Sequence, residues 1–376
     1  SAGDRVLVSG KPAEPAAAIT EAARVLAGAR GRVLVGIGPD LSSQAQREAV
    51  AIADLLGATV DTATSPAAAA GLLAAQRRGR ATATLGEIRN RADVVLFWAV
   101  DPGSRYPRYL SRYALDPAGT HVPEGRRGRT VISANVGGAR GPTGADLSLD
   151  LSADEEIPAL SVMRGTVAGN PLGDLPAALQ AAAEVARRLM QAGYAVIVHD
   201  GESAEESGPA QRAEGLVALA QALNGPTRAA LSTLRAGGNR SGAEAVLTSQ
   251  TGYPMAVDYS SGVPRYAPAL RGLDRLGRGG FQAALLVGRT DHLSAQSRSA
   301  LGGVATVVIG PRATETAGPR VAIDTGVAGI HEAGTAYRMD EVPVPLRAPL
   351  RGARSAAGTL RELLTALRSE AGPVSA

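Results

Sequence analysis

Short, continuous apolar runs alternate along this chain with alanine-rich stretches of helical composition. Three such runs, RVLVGIG (Arg32–Gly38), DVVLFWAV (Asp93–Val100) and RTVISANV (Arg129–Val136), lack the apolar-polar alternation of a strand that faces water on one side. Continuous runs of this kind are typical of parallel strands whose two faces are both covered. A helix is expected between the first two runs, from about Ser42 to Leu56. The pattern predicts an α/β protein with parallel sheets.

A pause in this pattern divides the chain into two series. The segment TVAGNPLGDLP (Thr166–Pro176) is rich in Gly, Pro and Asn, which indicates a linker. Strand runs then resume with YAVIVHD, TRAALSTL, FQAALLVG and VATVVIG. Two successive series predict two doubly wound parallel-sheet units, in residues 1–172 and residues 173–325. Residues 326–376 form a tail that is expected to pack back on the first unit and complete it.

Length and charge narrow the class of protein. A chain of 376 residues with 45% hydrophobic and 20% charged residues has the composition of a globular protein. The net charge is +4, but the arginines are dispersed and Lys11 is the only lysine, which argues against nucleic acid binding. The apolar run Ala67–Ala75 is too short to span a membrane, and the stretch SAGDRVLVSGK lacks the apolar core of a signal peptide. We expect a cytoplasmic protein that binds neither nucleic acid nor a membrane.

The residues needed for common catalytic sites are missing or scattered. The chain has no cysteine, which excludes disulfides, thiolate nucleophiles, iron–sulfur clusters and cysteine-ligated zinc within these 376 residues. The four histidines lack the spacing of a metal site. Gly36 and Gly38 follow a strand, but the third glycine of a dinucleotide-binding turn is absent and Pro39 follows directly. No catalytic residue and no metal ligand is predicted.

The aromatic residues are concentrated in one stretch, FWAVDPGSRYPRYLSRY (Phe97–Tyr113), although only 3% of the chain is aromatic. Asp101 and Gly103 come directly after the predicted strand that ends at Val100, at the carboxyl edge of a parallel sheet, where doubly wound sheets bind ligands. Beyond them, tyrosines and arginines each recur at spacings of three and four, so a helical turn places the two sets on adjacent faces. These residues are Tyr106, Tyr109 and Tyr113, and Arg105, Arg108 and Arg112.

Two interpretations of this stretch remain open. The tyrosines can pack in the core while the arginines pair locally. Alternatively, the two sets form a recognition surface for a ligand or another subunit, since Tyr and Arg are enriched at binding hot spots. A second Pro-Arg-Tyr occurs at Pro264–Tyr266, and the same two interpretations apply to it.

Three long, separated stretches resemble the B subunit of formylmethanofuran dehydrogenase, a member of the molybdopterin oxidoreductase superfamily. They are Thr84–Gly119, Ser249–Tyr266 and His331–Arg347. Glu332, Gly334 and Thr335 are similar to the Glu-x-x-Gly-Thr segment near the pterin site of that superfamily. The resemblance implies two units of the molybdopterin oxidoreductase type, with a remnant of the cofactor crevice. The candidate residues of this crevice are Asp101, Gly103, Glu332, Gly334 and Thr335.

The chain departs from the dehydrogenases at the residues that carry their redox chemistry. The stretch Asp61–Ala74 resembles the segment of the metal-ligating cysteine, but it has Ala67 and Ala68 where that Cys and a following His are expected. Ser261 stands where an arginine is expected. We therefore expect no molybdenum, tungsten, pterin or iron–sulfur cofactor. Glu332 is expected to act as a structural acceptor for backbone N–H groups of its own AGTA turn.

Within the family, a cysteine-free chain most resembles the B subunits of bacterial formyltransferase/hydrolase complexes of methylotrophy. The resemblance implies a noncatalytic scaffold subunit in one-carbon metabolism, on the route from formaldehyde to formate with a methanofuran-like carrier. Its implied partners are a formyltransferase-like subunit, an amidohydrolase-like subunit and a further chain like the C subunit of formylmethanofuran dehydrogenase. Two alternatives stay open, namely a molybdopterin-dependent oxidoreductase subunit and a module that binds the carrier.

The arginines and tyrosines are the candidates for contacts with a partner or with the polyanionic tail of the carrier. They are Arg105, Tyr106, Arg108, Tyr109, Arg112, Tyr253, Arg265 and Tyr266. They either join the units and partner subunits or bind the carrier. We favour buried joints, because Pro-Arg-Tyr fixes backbone and side chain together.

Overall fold

In the computed structural model the chain forms two compact units. Unit 1 consists of Ser1–Thr64 and Gly237–Ala376, and unit 2 consists of Ser65–Ala236. The structure describes residues 5–202, 209–270, 276, 279–350 and 352–370. These units replace the predicted boundaries at residues 172 and 325, because unit 2 is inserted into unit 1.

The division differs from the predicted one because sheet pairing does not follow chain order. The Gly- and Pro-rich segment Thr166–Pro176 joins two helices, Glu156–Val167 and Ala177–Met190, that pack against each other within unit 2. The apolar run after Phe281 forms the strand Ala283–Val287, which pairs in parallel with Val33–Ile37 of unit 1. The second series of strands is therefore shared between the two units.

Helices and strands are numbered in chain order. The first segment of unit 1 contains β1 (Val6–Val8), β2 (Lys11–Pro12), α1 (Pro15–Gly28), β3 (Val33–Ile37), α2 (Ser43–Leu56) and β4 (Thr59–Thr62). Unit 2 contains α3 (Pro66–Arg78), α4 (Leu85–Arg91), β5 (Val94–Trp98), α5 (Pro102–Arg105), β6 (Thr130–Val136), β7 (Leu147–Leu151), α6 (Glu156–Val167), α7 (Ala177–Met190), β8 (Ala195–Asp200), α8 (Pro209–Leu223) and β9 (Ala229–Leu234). The second segment of unit 1 contains α9 (Arg240–Thr251), β10 (Val257–Asp258), β11 (Arg265–Tyr266), β12 (Ala283–Val287), α10 (Ala295–Ala300), β13 (Ala305–Gly310), β14 (Val321–Asp324), β15 (Gly334–Tyr337), β16 (Pro343–Leu346) and α11 (Ala356–Glu370).

Unit 1 is built on a nine-stranded sheet with the order β11-β10-β4-β3-β12-β13-β14-β1-β2. Its central strands, from β4 to β14, are parallel, as the continuous apolar runs predicted. The strands at both edges are antiparallel, which the sequence did not predict. These edge strands are short, because a strand at the edge of a sheet needs no long apolar run.

Helices cover unit 1 on the face to which Val33, Val35 and Ile37 of β3 point. Helix α11 packs on α1 and α2, so the C-terminal residues return to the N-terminal elements, as the tail was expected to do. It buries leucines at helical spacing, Leu360, Leu363, Leu364 and Leu367. Burying one leucine contributes roughly 1.5–3 kcal/mol. This stripe therefore anchors the tail.

Unit 2 has a five-stranded parallel sheet with the order β7-β6-β5-β8-β9. Val94, Leu96 and Trp98 of β5 face a core that includes residues of α3, α6, α7 and α8. The buried Glu156 at the start of α6 accepts a 2.7 Å hydrogen bond from Trp98 Nε1 and forms an ion pair with Arg212. Among the helices of the described residues, none is long and apolar enough to cross a membrane.

Candidate functional site

Polar loops of unit 2 meet at the carboxyl ends of β5 and β8. The strand order reverses between these two strands, and such a reversal opens the crevice in which α/β sheets bind ligands. The loop after β5 begins with Ala99, whose φ of 52° is in the left-handed region. Asp101 then caps α5, because its Oδ1 accepts a 2.8 Å hydrogen bond from the Gly103 N–H. Asp101 and Gly103 thus lie at the predicted sheet edge, with the carboxylate ordering the loop.

Two ion pairs join the loops that follow β5, β8 and β9. Arg105 Nη1 pairs with the Asp200 carboxylate and donates a 3.2 Å hydrogen bond to the Glu202 carbonyl. Arg235 Nε donates a 2.8 Å hydrogen bond to Glu202 Oε1, and both side chains of this pair are buried. The arginines that face this crevice are therefore matched by carboxylates of the same chain.

The Tyr106 hydroxyl lies in this cluster without a partner. It is buried and makes no hydrogen bond to any described residue. Burial raises the pKa of Tyr106 to about 12, and the nearby Asp200 carboxylate adds to the increase. The phenol therefore stays protonated at neutral pH, and its O–H is able to donate to an oxygen of a ligand or water.

The rest of the aromatic stretch separates into a buried and an exposed face. Tyr109 is 3% exposed, and its hydroxyl lies 3.3 Å from Ser232 Oγ of β9. Arg108 and Arg112 are exposed. The Arg112 N–H donates a 3.0 Å hydrogen bond to the Arg108 carbonyl, and Arg112 lies within a π-helical turn, Leu110–Ala114. Core packing thus describes Tyr109, whereas the two arginines remain available for recognition.

The second Pro-Arg-Tyr lies at the edge of the sheet of unit 1. Arg265 and Tyr266 form β11, which pairs only with β10 among the described strands. The Tyr266 ring stacks on Tyr253, with centroids 4.9 Å apart and planes at 6°. Tyr253 in turn packs against the core of unit 1. Arg265 is exposed.

Within this chain, the Pro-Arg-Tyr arginines are not buried as we expected. Arg108 and Arg265 are both exposed, because one lies on the outer face of a helical turn and the other on an edge strand. The neighbouring tyrosines, Tyr109 and Tyr266, make the packing contacts instead.

Glu332 is a buried acceptor that joins distant parts of unit 1. Its Oε1 accepts a 2.6 Å hydrogen bond from the hydroxyl of Ser42, the N-cap residue of α2. Its Oε2 accepts hydrogen bonds from the Ser355 hydroxyl at 2.9 Å and from the Ala356 N–H, at the start of α11, at 2.6 Å. The sequence suggested that the carboxylate bonds to its own AGTA turn, whereas it bonds to the first turn of α11. A carboxylate is favourable there because the N–H groups of a helix N-terminus carry partial positive charge.

Gly334 and Thr335 lie in the close approach of β15 to α2. A Cβ at Gly334 would lie 2.6 Å from Gln44 Oε1 and 2.9 Å from Ser42 Cβ, so a larger residue here would displace the Gln44 side chain and crowd Ser42. The Thr335 N–H donates a 2.9 Å hydrogen bond to the same oxygen, and Gln44 Nε2 donates a 3.3 Å hydrogen bond to Thr335 Oγ1. These contacts hold the strand in place.

Asn239 is the residue of this region that the sequence reasoning missed. Its Oδ1 accepts a 2.7 Å hydrogen bond from the Tyr337 N–H of β15, and its Nδ2 donates a 3.0 Å hydrogen bond to the Leu41 carbonyl. Its backbone carbonyl accepts a 3.1 Å hydrogen bond from Gln46. A lone Asn in the segment RAGGNRSG carries no sequence signal for these contacts beyond its turn-like surroundings.

A polar cavity of about 340 Å³ lies at the carboxyl ends of β12 and β13 in unit 1. Its lining includes Arg289, Arg298 and Arg312 together with the hydroxyls of Thr290 and Thr316. Arg289 is paired with Asp291, and Arg312 is paired with Glu315. Guanidinium and hydroxyl groups suit an anionic ligand, and the volume is at the lower end of the usual range of about 300–1,000 Å³ for ligand pockets.

Relatives of known identity match most of the chain. No family model matches it. The chain is 32% identical over 340 residues to the B subunit of the tungsten-containing formylmethanofuran dehydrogenase 2 of Methanocaldococcus jannaschii, with 88% of this chain and 77% of that protein covered. It is also 31% identical over 222 residues to the B subunit of the formyltransferase/hydrolase complex Fhc of Methylorubrum extorquens, covering 59% of this chain and 57% of that protein.

A solved structure matches the fold over nearly its whole length. A chain in the crystal structure of the formyltransferase/hydrolase complex of M. extorquens with methylofuran superposes with a TM-score of 0.80 at 26% identity. The match covers 97% of this chain and 99% of that chain.

The fold and these relatives define an α/β protein of the kind that serves as a subunit of formyl-group enzymes. The chain belongs to the family of formylmethanofuran dehydrogenase B subunits.

The residues present do not fit the tungsten that the name of the dehydrogenase relative implies. Ala67 and Ala68 stand in the first turn of α3 and offer only methyl groups, and the Ala68 N–H bonds to the N-cap Ser65 at 3.2 Å. No cysteine exists in the sequence to supply a thiolate. Within the described ranges, moreover, no three His, Asp or Glu side chains are grouped to hold a metal ion.

Proposed function

We propose that this chain is a noncatalytic scaffold subunit of a formyltransferase/hydrolase complex in one-carbon metabolism. In this proposal a formyltransferase-like subunit transfers the formyl group from formyl-tetrahydromethanopterin to a methanofuran-like carrier, and an amidohydrolase-like subunit hydrolyses the formylated carrier to release formate. A chain like the C subunit of formylmethanofuran dehydrogenase completes the assembly. The complex works in the cytoplasm.

The observation that carries the proposal is the structural match to a chain of such a complex over 97% of this chain and 99% of that chain. A match of this extent means that the two chains share their architecture in both units. Because the chain has no cysteine, its residues supply none of the thiolates that the dehydrogenase chemistry needs. The scaffold assignment explains both observations at once.

We further propose that the two units are doubly wound units of the molybdopterin oxidoreductase type that bind no molybdenum, tungsten, pterin or iron–sulfur cofactor. The polar groups at the strand ends are largely engaged with one another. In unit 1 the Asp40 carboxylate accepts the Arg289 N–H at 3.0 Å, and in unit 2 Asp200 pairs with Arg105. Burial raises the pKa of Asp40. These internal contacts support strand ends whose charged groups are paired within the chain.

A pterin-dependent oxidoreductase subunit is the second candidate function. The 32% identity to the tungsten-containing dehydrogenase favours it, as does the arginine-lined cavity beside β12, which suits phosphate groups. The lack of a metal-ligating thiolate weighs against it.

Purification of the native protein separates the two candidates. The scaffold proposal expects formyltransferase-like and amidohydrolase-like chains to co-elute with this chain, as identified by mass spectrometry. It also expects metal analysis and pterin fluorescence to give far less than one equivalent per chain. Stoichiometric molybdenum or tungsten with a pterin, or recovery of the protein as an isolated monomer from its own cell, would overturn the proposal.

A further inference from the structure

The exposed face of residues 105–113 carries positive charges, those of Arg108 and Arg112, that are not paired with carboxylates among the described residues of unit 2. Residues 102–115 include three arginines and no acidic residue. Arg105 forms an ion pair with Asp200. Arg108 and Arg112 are exposed, and neither forms an ion pair with any residue that the structure describes. This leaves two neighbouring cations with no role inside unit 2.

The segment that bears these arginines is fixed at its beginning, middle and end. Arg105 holds the beginning through Asp200, and Tyr109 holds the middle through Ser232 of β9. The buried Arg129 holds the end, because its Nη1 donates a 2.9 Å hydrogen bond to the Leu115 carbonyl. A surface that is rigid before binding loses little conformational entropy when a partner docks.

The geometry of the segment points to recognition rather than to solubility alone. Arg108 and Arg112 are one helical turn apart, so their side chains emerge on the same side. The Arg112 guanidinium lies over the half-buried Tyr113 ring at 5.7 Å from its centroid. Arg112 and Tyr113 lie within the π-helical turn Leu110–Ala114, an uncommon conformation that is frequent at functional sites. Arginine beside tyrosine is the combination enriched in the centres of protein interfaces.

We propose that Arg108, Arg112 and Tyr113 form a docking surface for an acidic surface of another protein subunit. The two guanidinium groups engage carboxylates of the partner in bidentate pairs, and the Tyr113 ring supplies apolar contact area between them. The inference rests on the proposed function insofar as the partner is a subunit of the same complex. A protein surface is favoured over a small anion because both arginines are exposed on the same helical turn.

The test compares two double charge reversals in the full chain, co-expressed with its partner subunits. The first is Arg108→Glu with Arg112→Glu, and the control is Arg47→Glu with Arg164→Glu, which makes the same charge change at exposed arginines of α2 and α6. We expect the first to weaken association by at least about tenfold and the control to stay within about twofold, since rim charges steer association and disfavour like-charged partners. Raising salt from about 50 to about 300 mM should slow association of the wild type more than that of Arg108→Gln with Arg112→Gln.

Three outcomes separate this inference from the proposed function. If the wild-type chain recovers no partner, the proposed function fails. If the wild type and the reversed variant recover partners equally, the docking surface is overturned while the scaffold role stands. If assembly is intact but the apparent KM for the carrier rises, these arginines bind a ligand and the inference is also overturned. Each variant should unfold at the same temperature as the wild type, which shows that weaker association is not caused by misfolding. If the charge-reversed variant does not fold, the neutral Arg108→Gln, Arg112→Gln variant takes its place.

Discussion

The Glu332 carboxylate accepts a 2.6 Å hydrogen bond from the hydroxyl of Ser42, a residue 290 positions earlier in the chain. Both groups are buried. Because the other carboxylate oxygen bonds to Ser355 and to the Ala356 N–H, a single side chain joins the first turn of α2 to the first turn of α11. A segment recognised by its similarity to a pterin-site motif thus has an observed structural role of its own.

Replacing Glu332 by Ala is expected to lower the free energy of unfolding by at least about 2 kcal/mol, because each buried donor left unpaired costs roughly 1–3 kcal/mol. Chemical denaturation followed by circular dichroism measures the loss. Glu362→Ala, at an exposed position of α11, the helix whose first turn bonds to Glu332, is the matched control and should stay within about 0.5 kcal/mol of the wild type.

The same variant tests whether Glu332 is catalytic. Within an assembled complex, turnover of formyl hydrolysis should remain within about threefold of the wild type, since a residue that only positions backbone contributes little differential transition-state binding. A loss of about a hundredfold with assembly intact would give Glu332 a catalytic role and contradict the scaffold proposal.

The ion pair between Glu156 and Arg212 is expected to be worth far more than a similar pair at the surface. Its side chains are 4% and 8% exposed, and Glu156 also accepts the Trp98 indole N–H. Glu156→Gln leaves the Arg212 charge buried and should lower the free energy of unfolding of unit 2 by on the order of 3 kcal/mol. Trp98 is the only tryptophan, so its fluorescence reports this unfolding directly.

The matched control for Glu156 is Glu184→Gln, which breaks the exposed pair with Arg187 on α7. Exposed pairs contribute about 0–1 kcal/mol, so the control should unfold almost as the wild type does. Equal effects of the two variants would show that burial does not set the strength of the Glu156 pair.

The stability of the protein is expected to decrease below neutral pH because of His199. Burial, with smaller contributions from Arg80 and Arg212, lowers the pKa of His199 to about 3, whereas the unfolded chain has a histidine pKa of about 6.5. Below pH 6.5 the unfolded state binds the proton first, so the free energy of unfolding falls by up to about 1.4 kcal/mol per pH unit. Burial also lowers the pKa of His292, which acts in the same direction.

Urea unfolding between about pH 7.5 and pH 5.5 measures this slope. His199→Gln keeps a side chain that can bond to Thr233 Oγ1, which lies 2.9 Å from His199 Nε2, and should make the slope shallower. His121→Gln, at an exposed histidine, should leave it unchanged. The lowered pKa of Glu21, about 2, matters only below its ordinary value of 4.5 and so lies outside this window. An unchanged slope in His199→Gln would contradict the assignment.

The parallel strands could be predicted from the sequence, whereas the division into units could not. The runs that became β3, β5, β6 and β8 are continuous and apolar because each strand is covered on both faces, and this leaves a local signal. The pairing of β12 with β3 is set by long-range packing, so no local pattern shows that residues 65–236 are inserted between them. The short antiparallel edges, β2, β10 and β11, have too few residues for a periodicity.

The candidate site was predictable in its residue types but not in its contacts. Spacing in the chain predicts adjacent faces for the tyrosines and arginines of residues 105–113, but the backbone leaves the helical conformation at Tyr106, with φ of −129° and ψ of 67°. The helical relationship therefore holds from Arg108 to Tyr113 and does not extend to Arg105. Which face is buried depends on Ser232 and Asp200, residues of other strands that no spacing rule connects to this segment. Asn239, with its contacts to Tyr337 and Leu41, was missed for the same reason.

The last prediction separates the two residues of β11, Arg265 and Tyr266. Tyr266 stacks on Tyr253 with centroids 4.9 Å apart, and Tyr253 packs on the core, whereas Arg265 is exposed. A stacked aromatic pair contributes about 0.5–1.5 kcal/mol beyond the area it buries. Tyr266→Ala should therefore lower the free energy of unfolding of unit 1 by more than about 1 kcal/mol, while Arg265→Ala stays within about 0.5 kcal/mol. Tyr266→Phe, which keeps the ring, should retain most of the stability that Tyr266→Ala loses. Denaturation followed by circular dichroism compares the three variants. A larger loss in Arg265→Ala than in Tyr266→Ala would mean that the arginine, and not the ring, holds this edge of the sheet.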